Sequence, residues 1–346
     1  MAEVVLVTQK EFYKGEKILL SAHGLQFQPA PADEQPLAEA VLARNCRAVV
    51  VGVEKYRGLL YEAMGKTGGT RGSLIARFGV GHDGVDKALA RQNNIIVTNT
   101  PGVLDISVAE HTIWLMGCLA RNVSAMEALL RAGEFPSQTG TELCGKTLGI
   151  LGFGGIGRRV AAMAHFGLGM KVIAAGRRRA AALKEQEGRS GEQVMSAFGV
   201  EEYTNDIESV FRRADILCIH LPANAETRHF VNAQRLGLMR PGAMLVNTAR
   251  GMVLDEAALY DALANGRLAG AALDVFENEP YKPVSPEKDL RTLKNVVLTR
   301  HIGSNTHEAN ERMARACVDN VSKFFAGRIA ELTRVDMPSS AAPGRQ

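Results

Sequence analysis

Three side chains of complementary chemistry each follow a short apolar run. Arg250 ends Asn247-Thr248-Ala249-Arg250, Glu279 lies in Asp274-Val275-Phe276-Glu277-Asn278-Glu279-Pro280, and His301 in Thr299-Arg300-His301-Ile302-Gly303. A guanidinium is a rigid fork of donors, charged at any working pH and shaped to grip a carboxylate. An imidazole titrates near neutrality and can deliver a proton. A carboxylate bonded to its other ring nitrogen fixes the ring and stabilises the imidazolium. One such residue at a strand's end is usually a solvated loop group. Three of complementary type form a candidate catalytic set.

A second cluster is chemical through its backbone. Thr147-Leu148-Gly149-Ile150-Leu151 is strand-like, and Gly152-Phe153-Gly154-Gly155-Ile156-Gly157 then has the spacing G-x-G-x-x-G before an amphipathic stretch. In that context Gly152 permits a tight turn, Gly154 admits a pyrophosphate close to the backbone, and Gly157 brings the helix onto the sheet. With 35 glycines in the chain the spacing alone is weak; its place between strand and helix carries it. An acid about 20 residues past the fingerprint normally binds the ribose 2′-OH of NAD. Gly176 stands there instead, followed by Arg177, Arg178 and Arg179. Guanidinium groups suit a 2′-phosphate. NADP(H) is therefore the favoured coenzyme, with NAD(H) the alternative.

The elements that must position these residues alternate. Apolar runs at 4–7, 48–53, 74–78, 95–98, 148–151, 172–175, 216–220, 244–247, 271–274 and 296–298 predict strands. Their continuous hydrophobicity suits parallel strands covered on both faces. Helices are expected at 83–92, 107–131, 156–166, 207–213, 255–264 and 307–325, and a solvent loop or short helix at 184–197. The fold class is α/β, two doubly wound parallel-sheet domains with one inserted into the other. The expected boundaries are 1–103 with 300–335 for the outer domain, 104–299 for the dinucleotide domain, and 336–346 as a disordered tail.

At 346 residues the chain can bury two cores. Its 41 basic and 37 acidic side chains are dispersed, which argues against nucleic acid or a membrane surface as partner. The five cysteines have no metal-ligand spacing, so no metal is expected, and buried reduced thiols in a cytoplasm are the simplest reading. The first residues run straight into a strand pattern without a leader-like segment.

Nine motifs in order give a specific resemblance: 77–81, 99–102, 107–111, 145–149, 152–157, 220–222, 247–251, 273–280 and 301–303. Over almost its full length the chain resembles the D-isomer-specific 2-hydroxyacid dehydrogenases. The resemblance implies a Rossmann domain inserted into a flavodoxin-like substrate domain, an Arg250–Glu279–His301 catalytic set, and a homodimer formed through the nucleotide domain. It implies a small 2-oxo or 2-hydroxy acid as substrate, reduced by hydride from the nicotinamide. Val80 and Gly81 match the family's backbone cradle for the substrate carboxylate, and the loop at Val53 would meet the substrate side chain. Thr248, Ala249 and Asp274 would lie on the nicotinamide side, Gly303 beside them, and His220, Leu221 and Pro222 along the adenosine. Glu110 and His111 are expected as structural groups between domains, and Trp114 as core or dimer interface.

The chain departs from the family pattern at Arg300, usually proline, at His82 and Gly84, at Gly176, and in a longer loop after Arg179. Arg300 leaves open a phosphite-type oxyanion dehydrogenase. A non-enzymatic dinucleotide-sensing protein like the corepressors of this fold is the alternative of a different class. Formate dehydrogenases of the superfamily carry glutamine where Glu279 stands.

Overall fold

The computed structural model describes residues 2–176 and 190–336. The arginines at 177–179 and the tail from 337 lie outside the described residues. The chain forms two compact units, one from the residues up to Leu104 together with those from Asn305 on, the other from Asp105–Ser304.

In the first unit the chain runs β1 (Glu3–Thr8), α1 (Gln9–Leu20), β2 (Leu25–Ala30), α2 (Glu34–Ala43), β3 (Ala48–Val51), α3 (Leu59–Gly68), β4 (Ser73–Arg77), α4 (Lys87–Gln92) and β5 (Ile95–Thr98). The strands pair in parallel in the order β2-β1-β3-β4-β5. That is the flavodoxin-like order. Every side chain of β3 and β4 is buried, as continuous apolar strands under helices should be.

The second unit opens with α5 (Asp105–Ala120) and α6 (Val123–Arg131). It continues β6 (Thr147–Leu151), α7 (Gly155–Ala162), β7 (Lys171–Ala175), α8 (Gly191–Ala197), β8 (Glu202–Thr204), α9 (Ile207–Arg213) and β9 (Ile216–Ile219). It ends with α10 (Ala233–Leu238), β10 (Ala243–Asn247), α11 (Glu256–Ala264), β11 (Leu268–Leu273) and β12 (Val296–Leu298). Its parallel sheet has the order β12-β11-β10-β9-β6-β7-β8, a Rossmann arrangement with one further strand. Alternate residues of β6 feed opposite faces: Leu148 and Ile150 enter one apolar core, Leu151 the other. The chain then returns to the first unit as α12 (His307–Phe325), capped by Thr306, whose Oγ1 accepts the Ala309 N–H at 3.1 Å.

Several elements differ from the sequence expectation, each for a physical reason. The helix expected over 107–131 is two helices bent by 62°. Asn122 adopts a left-handed backbone (φ 53°), which asparagine tolerates better than most residues, and breaks the ladder there. Trp114 is 71 % exposed, so it is no core residue of this chain. Cys46, Cys218 and Cys317 are buried, but Cys118 is only partly covered and Cys144 is exposed. The helix expected from 83 begins at Lys87, where the Asp86 carboxylate accepts the N–H groups of Ala88 and Leu89. The helix expected over 156–166 passes into a π-turn at Met163–Gly167. Strands β2 and β8 have no counterpart in the predicted set. Both lie at sheet edges, where one side faces solvent and polar residues and Pro29 are tolerated. Among the described residues no single helix is long and apolar enough to cross a membrane.

Candidate active site

The glycine fingerprint forms the turn from β6 into α7. Gly152 has φ 100°, and its N–H reaches the Ala175 carbonyl at 2.8 Å. A Cβ on Gly157 would stand 2.2 Å from the Gly152 carbonyl oxygen, so a side chain there would push the helix off the loop. At Gly154 a Cβ would meet nothing within 4 Å. The backbone there is open to a ligand, and α7 begins beside it with N–H groups that have no intrahelical partner. Gly155 and Ile156 complete the turn, Ile156 packing on the core. Phe153 turns inward, edge-on to Phe198 and tilted against Tyr203 at 5.8 Å, so this residue offers the loop only its backbone.

Next along the sheet, β7 ends at Ala175 and Gly176 follows, and here a residue missed from sequence enters. A Cβ at 176 would lie 2.4 Å from the Tyr203 hydroxyl. Tyr203 therefore occupies the space of the absent acid. Its strand, β8, escaped prediction, and Tyr203 with it. Asn205 braces the same turn, its Nδ2 donating to the Gly176 carbonyl at 2.9 Å.

His220 follows β9, its N–H on the Leu151 carbonyl at 2.7 Å. Both ring nitrogens are buried without a hydrogen-bond partner among the described residues. Burial lowers the pKa to about 4, so the imidazole is neutral at physiological pH. Leu221 packs on the apolar core, and Pro222 presents its carbonyl to the Thr227 hydroxyl at 2.6 Å.

The three candidate catalytic residues follow the adjacent strands β10, β11 and β12. After β10, buried Asn247 organises the turn: its Oδ1 accepts the Ala249 N–H at 3.0 Å, and its Nδ2 donates to the Arg250 carbonyl at 3.1 Å. Thr248 is tied to Thr112 of α5, hydroxyl to hydroxyl, at 2.8 Å. Arg250 folds back to donate from Nη1 to the Ala249 carbonyl at 2.6 Å.

After β11, the Glu279 carboxylate uses Oε1 to accept the Phe276 N–H at 3.0 Å and holds Oε2 2.7 Å from His301 Nδ1. Burial raises the Glu279 pKa, but the hydrogen bond and charge of His301, the Phe276 N–H and the charge of Arg250 outweigh it, and the net shift is downward. Glu279 thus stays ionised through the neutral range. With Nδ1 engaged, Nε2 is the nitrogen of His301 left for proton exchange. His301 has φ 54°, a left-handed backbone unusual for a residue with a side chain.

Asp274 explains how that backbone is held. It is 1 % exposed, and its carboxylate accepts the N–H of Ile302 at 2.9 Å, that of Gly303 at 2.8 Å and the Thr299 hydroxyl at 2.6 Å. Its carbonyl takes the His301 N–H at 2.7 Å. His111 Nε2 approaches from α5, 3.2 Å from the Thr299 hydroxyl and 3.4 Å from Asp274. Burial raises the Asp274 pKa, yet these hydrogen bonds bring it below the ordinary value. Sequence reasoning missed Thr299. The structure joins it to Asp274 and His111 within one unit as the brace of the His301 loop.

In the first unit, Asn99 Nδ2 donates to the Val80 carbonyl at 2.8 Å and the Thr100 N–H to that of Gly79 at 3.1 Å, which fixes the turn leading to Gly81. Val53 is exposed after β3.

A glycine turn at a helix start, with an acid–imidazole pair and a guanidinium at neighbouring strand ends, defines a dinucleotide-binding oxidoreductase site. Residues 113–303 match the family model of the D-isomer specific 2-hydroxyacid dehydrogenase NAD binding domain, and the chain belongs to that family. It is similar to a glyoxylate reductase of Thermococcus litoralis, 40 % identical over 280 residues that cover 78 % of this chain and 79 % of that one. In structure it resembles an NADPH-dependent glyoxylate/hydroxypyruvate reductase from Sinorhizobium meliloti, in complex with NADP and malonate, at TM-score 0.76 and 29 % identity over 97 % of both chains. A D-lactate dehydrogenase from Aquifex aeolicus, complexed with NAD and lactic acid, gives TM-score 0.79 at 27 % identity, over 97 % of this chain and all of that one.

Proposed function

We propose that this protein is an NADP(H)-preferring reductase of small 2-oxo acids, with glyoxylate and hydroxypyruvate as the first substrates to test. The observation that carries the reading is the 2.7 Å contact between Glu279 and His301 Nδ1, with Arg250 charge-coupled to the same carboxylate. The bound dinucleotide would supply hydride to C2 of the oxo acid. Arg250 holds the substrate carboxylate and polarises the carbonyl. His301 gives its Nε2 proton to the carbonyl oxygen as C2 becomes a carbinol carbon, and Glu279 stabilises the imidazolium before that transfer. Val53, Val80 and Gly81 are the proposed substrate contacts of the first unit.

For the coenzyme, we assign the pyrophosphate to the turn of Gly152, Gly154 and Gly157. His220, Leu221 and Pro222 are assigned to the adenosine side, and Thr248 and Ala249 to the nicotinamide side. Arg177 and Arg178 are assigned to a 2′-phosphate. A charge-assisted hydrogen bond contributes roughly 1.5–3 kcal/mol, and about 1.4 kcal/mol is tenfold in affinity. One well-placed arginine thus favours NADPH by about one to two orders of magnitude in kcat/KM. Steady-state rates with both coenzymes on glyoxylate and hydroxypyruvate test this, and a preference for NADH overturns it. Conversion to NADH use needs more than Gly176→Asp with Arg177→Ala, because the Tyr203 hydroxyl fills the space the new side chain requires. Adding Tyr203→Ala is expected to improve NADH use over the double variant.

The proposal includes a homodimer and, given unpaired thiols, a cytoplasmic setting. None of the residues of α6 is buried, and Val123, Leu130, Trp114 and the 93 % exposed Phe135 are apolar groups exposed on the second unit. Exposed apolar groups of this kind suit a partner surface, and a second copy is the proposed occupant. Leu130→Asp with Phe135→Ser is expected to yield monomers by sedimentation. A monomeric wild-type protein sinks this part.

A further inference from the structure

The segment that carries Glu279 is fastened to α11 by two acids with no assigned role in the proposed chemistry. Glu256, the first residue of α11, donates its N–H to Glu277 Oε1 at 3.0 Å, and Glu277 returns its own N–H to Glu256 Oε1. Each carboxylate thus accepts the other residue's peptide. Glu277 Oε2 lies 2.7 Å from His229 Nε2. His229 is itself held in a left-handed backbone (φ 46°), with its N–H on the Met252 carbonyl at 2.8 Å. This clamp sits between the two halves of the candidate site, since Arg250 precedes Glu256 on one strand end and Glu279 follows Glu277 on the next.

Glu256 is 2 % exposed, and its Oε2 is buried without a hydrogen-bond partner among the described residues. A buried carboxylate with an unsatisfied oxygen is costly when ionised. Burial raises its pKa to about 7; the Glu277 N–H opposes the rise, the charges of Glu277 and Glu279 add to it, and His229 opposes it. The groups facing it are Glu277, Glu279 and Tyr281 from the loop and His229 from the segment before α10; Lys288 reaches the neighbouring Ala257 carbonyl at 3.5 Å.

We propose that Glu256 is a positioning residue for the reaction: it fixes the peptide that aims Glu279 at His301, and its charge state sets how firmly His301 keeps its proton. The proposal rests on the reading of His301 as the acid. Below about pH 7 Glu256 is neutral, and its Oε1 still accepts the Glu277 N–H. Above it, ionisation adds a negative charge behind Glu279, which favours the imidazolium and extends reduction to higher pH.

The test compares Glu256→Gln and Glu256→Ala in pH profiles of 2-oxo-acid reduction. Alanine removes the acceptor and is expected to lower kcat on the order of tenfold or more through misplacement of Glu279, with KM for the coenzyme unchanged. Glutamine restores the acceptor but never ionises. It is expected to recover most of kcat while its alkaline limb moves to lower pH, the direction set by the loss of a negative charge behind Glu279. A purely structural residue would leave that limb in place, so superimposed profiles for glutamine and wild type overturn the proposal, as does wild-type kcat in the alanine variant. If the alanine variant fails to fold, the isosteric glutamine variant decides. If the wild-type protein reduces no 2-oxo acid, the functional reading fails by itself. The clamp is then decided by NMR titration of the His301 ring, where a lower midpoint in Glu256→Gln supports it and an identical midpoint overturns it.

Discussion

Replacing His301 with alanine is expected to lower kcat on the order of 10²–10⁴-fold, the contribution of a positioned acid. Coenzyme affinity should change little, since the ring is anchored to Glu279 and its remaining nitrogen is assigned to the substrate. Glu279→Gln should give an intermediate loss, because an amide can still orient Nδ1 but cannot stabilise the imidazolium electrostatically. The pair also carries a pH signature. The Glu279 pKa is depressed in the folded protein, so its stabilising contact is fully present above the ordinary carboxylate value of 4.5 and is lost as pH falls through the lower folded value. Turnover near the wild-type rate in His301→Ala at neutral pH would remove His301 from the mechanism.

Arg250→Lys is expected to lower kcat/KM by about one to two orders of magnitude, from loss of one charge-assisted hydrogen bond worth roughly 1.5–3 kcal/mol. Lysine is a point charge and cannot reproduce a planar fork on a carboxylate. It does keep a cation beside Glu279, so the acid limb of the pH profile should stay while KM for the oxo acid rises. Arg250→Ala removes both and should lose more. Unchanged kinetics in the lysine variant would put Arg250 outside the site.

The parts of this site legible in sequence are those whose chemistry is local. Gly152, Gly154 and Gly157 are dictated by one turn, and Arg250, Glu279 and His301 each follow an apolar strand that announces itself. What stayed hidden depends on partners distant in the chain. Asp274 was legible as a strand-end acid, but its bonds to the N–H groups of Ile302 and Gly303 are set by the pairing of β11 with β12. His111 reaches Thr299 only because α5 lies against β12. Tyr203 was invisible because an edge strand of three residues has no apolar run to betray it. The break at Asn122 was hidden by helical periodicity that continues on both sides of a single left-handed residue. Helix α1 went unread for a related reason: its buried residues Glu11, Phe12, Gly15, Ile18 and Leu19 keep helical spacing, but a charge and a glycine stand among them.

The first unit is assembled from both ends of the chain, and this orders its synthesis. Helix α1 packs on α12, Gly15 against Ala314. Edge strand β5 is completed by the segment at 334–336, through the Thr98–Arg334 bridge, the Val335 N–H on the Val97 carbonyl at 2.8 Å, and the Val97 N–H on Asp336. A ribosome synthesises the whole second unit before any of these partners exist. The five-stranded sheet must therefore wait, with one helix face and one strand edge uncovered, while some two hundred residues are made. Closing it demands contacts between the most distant parts of the chain, the slowest kind to form. In the nascent protein the seven-stranded sheet can close before the five-stranded one.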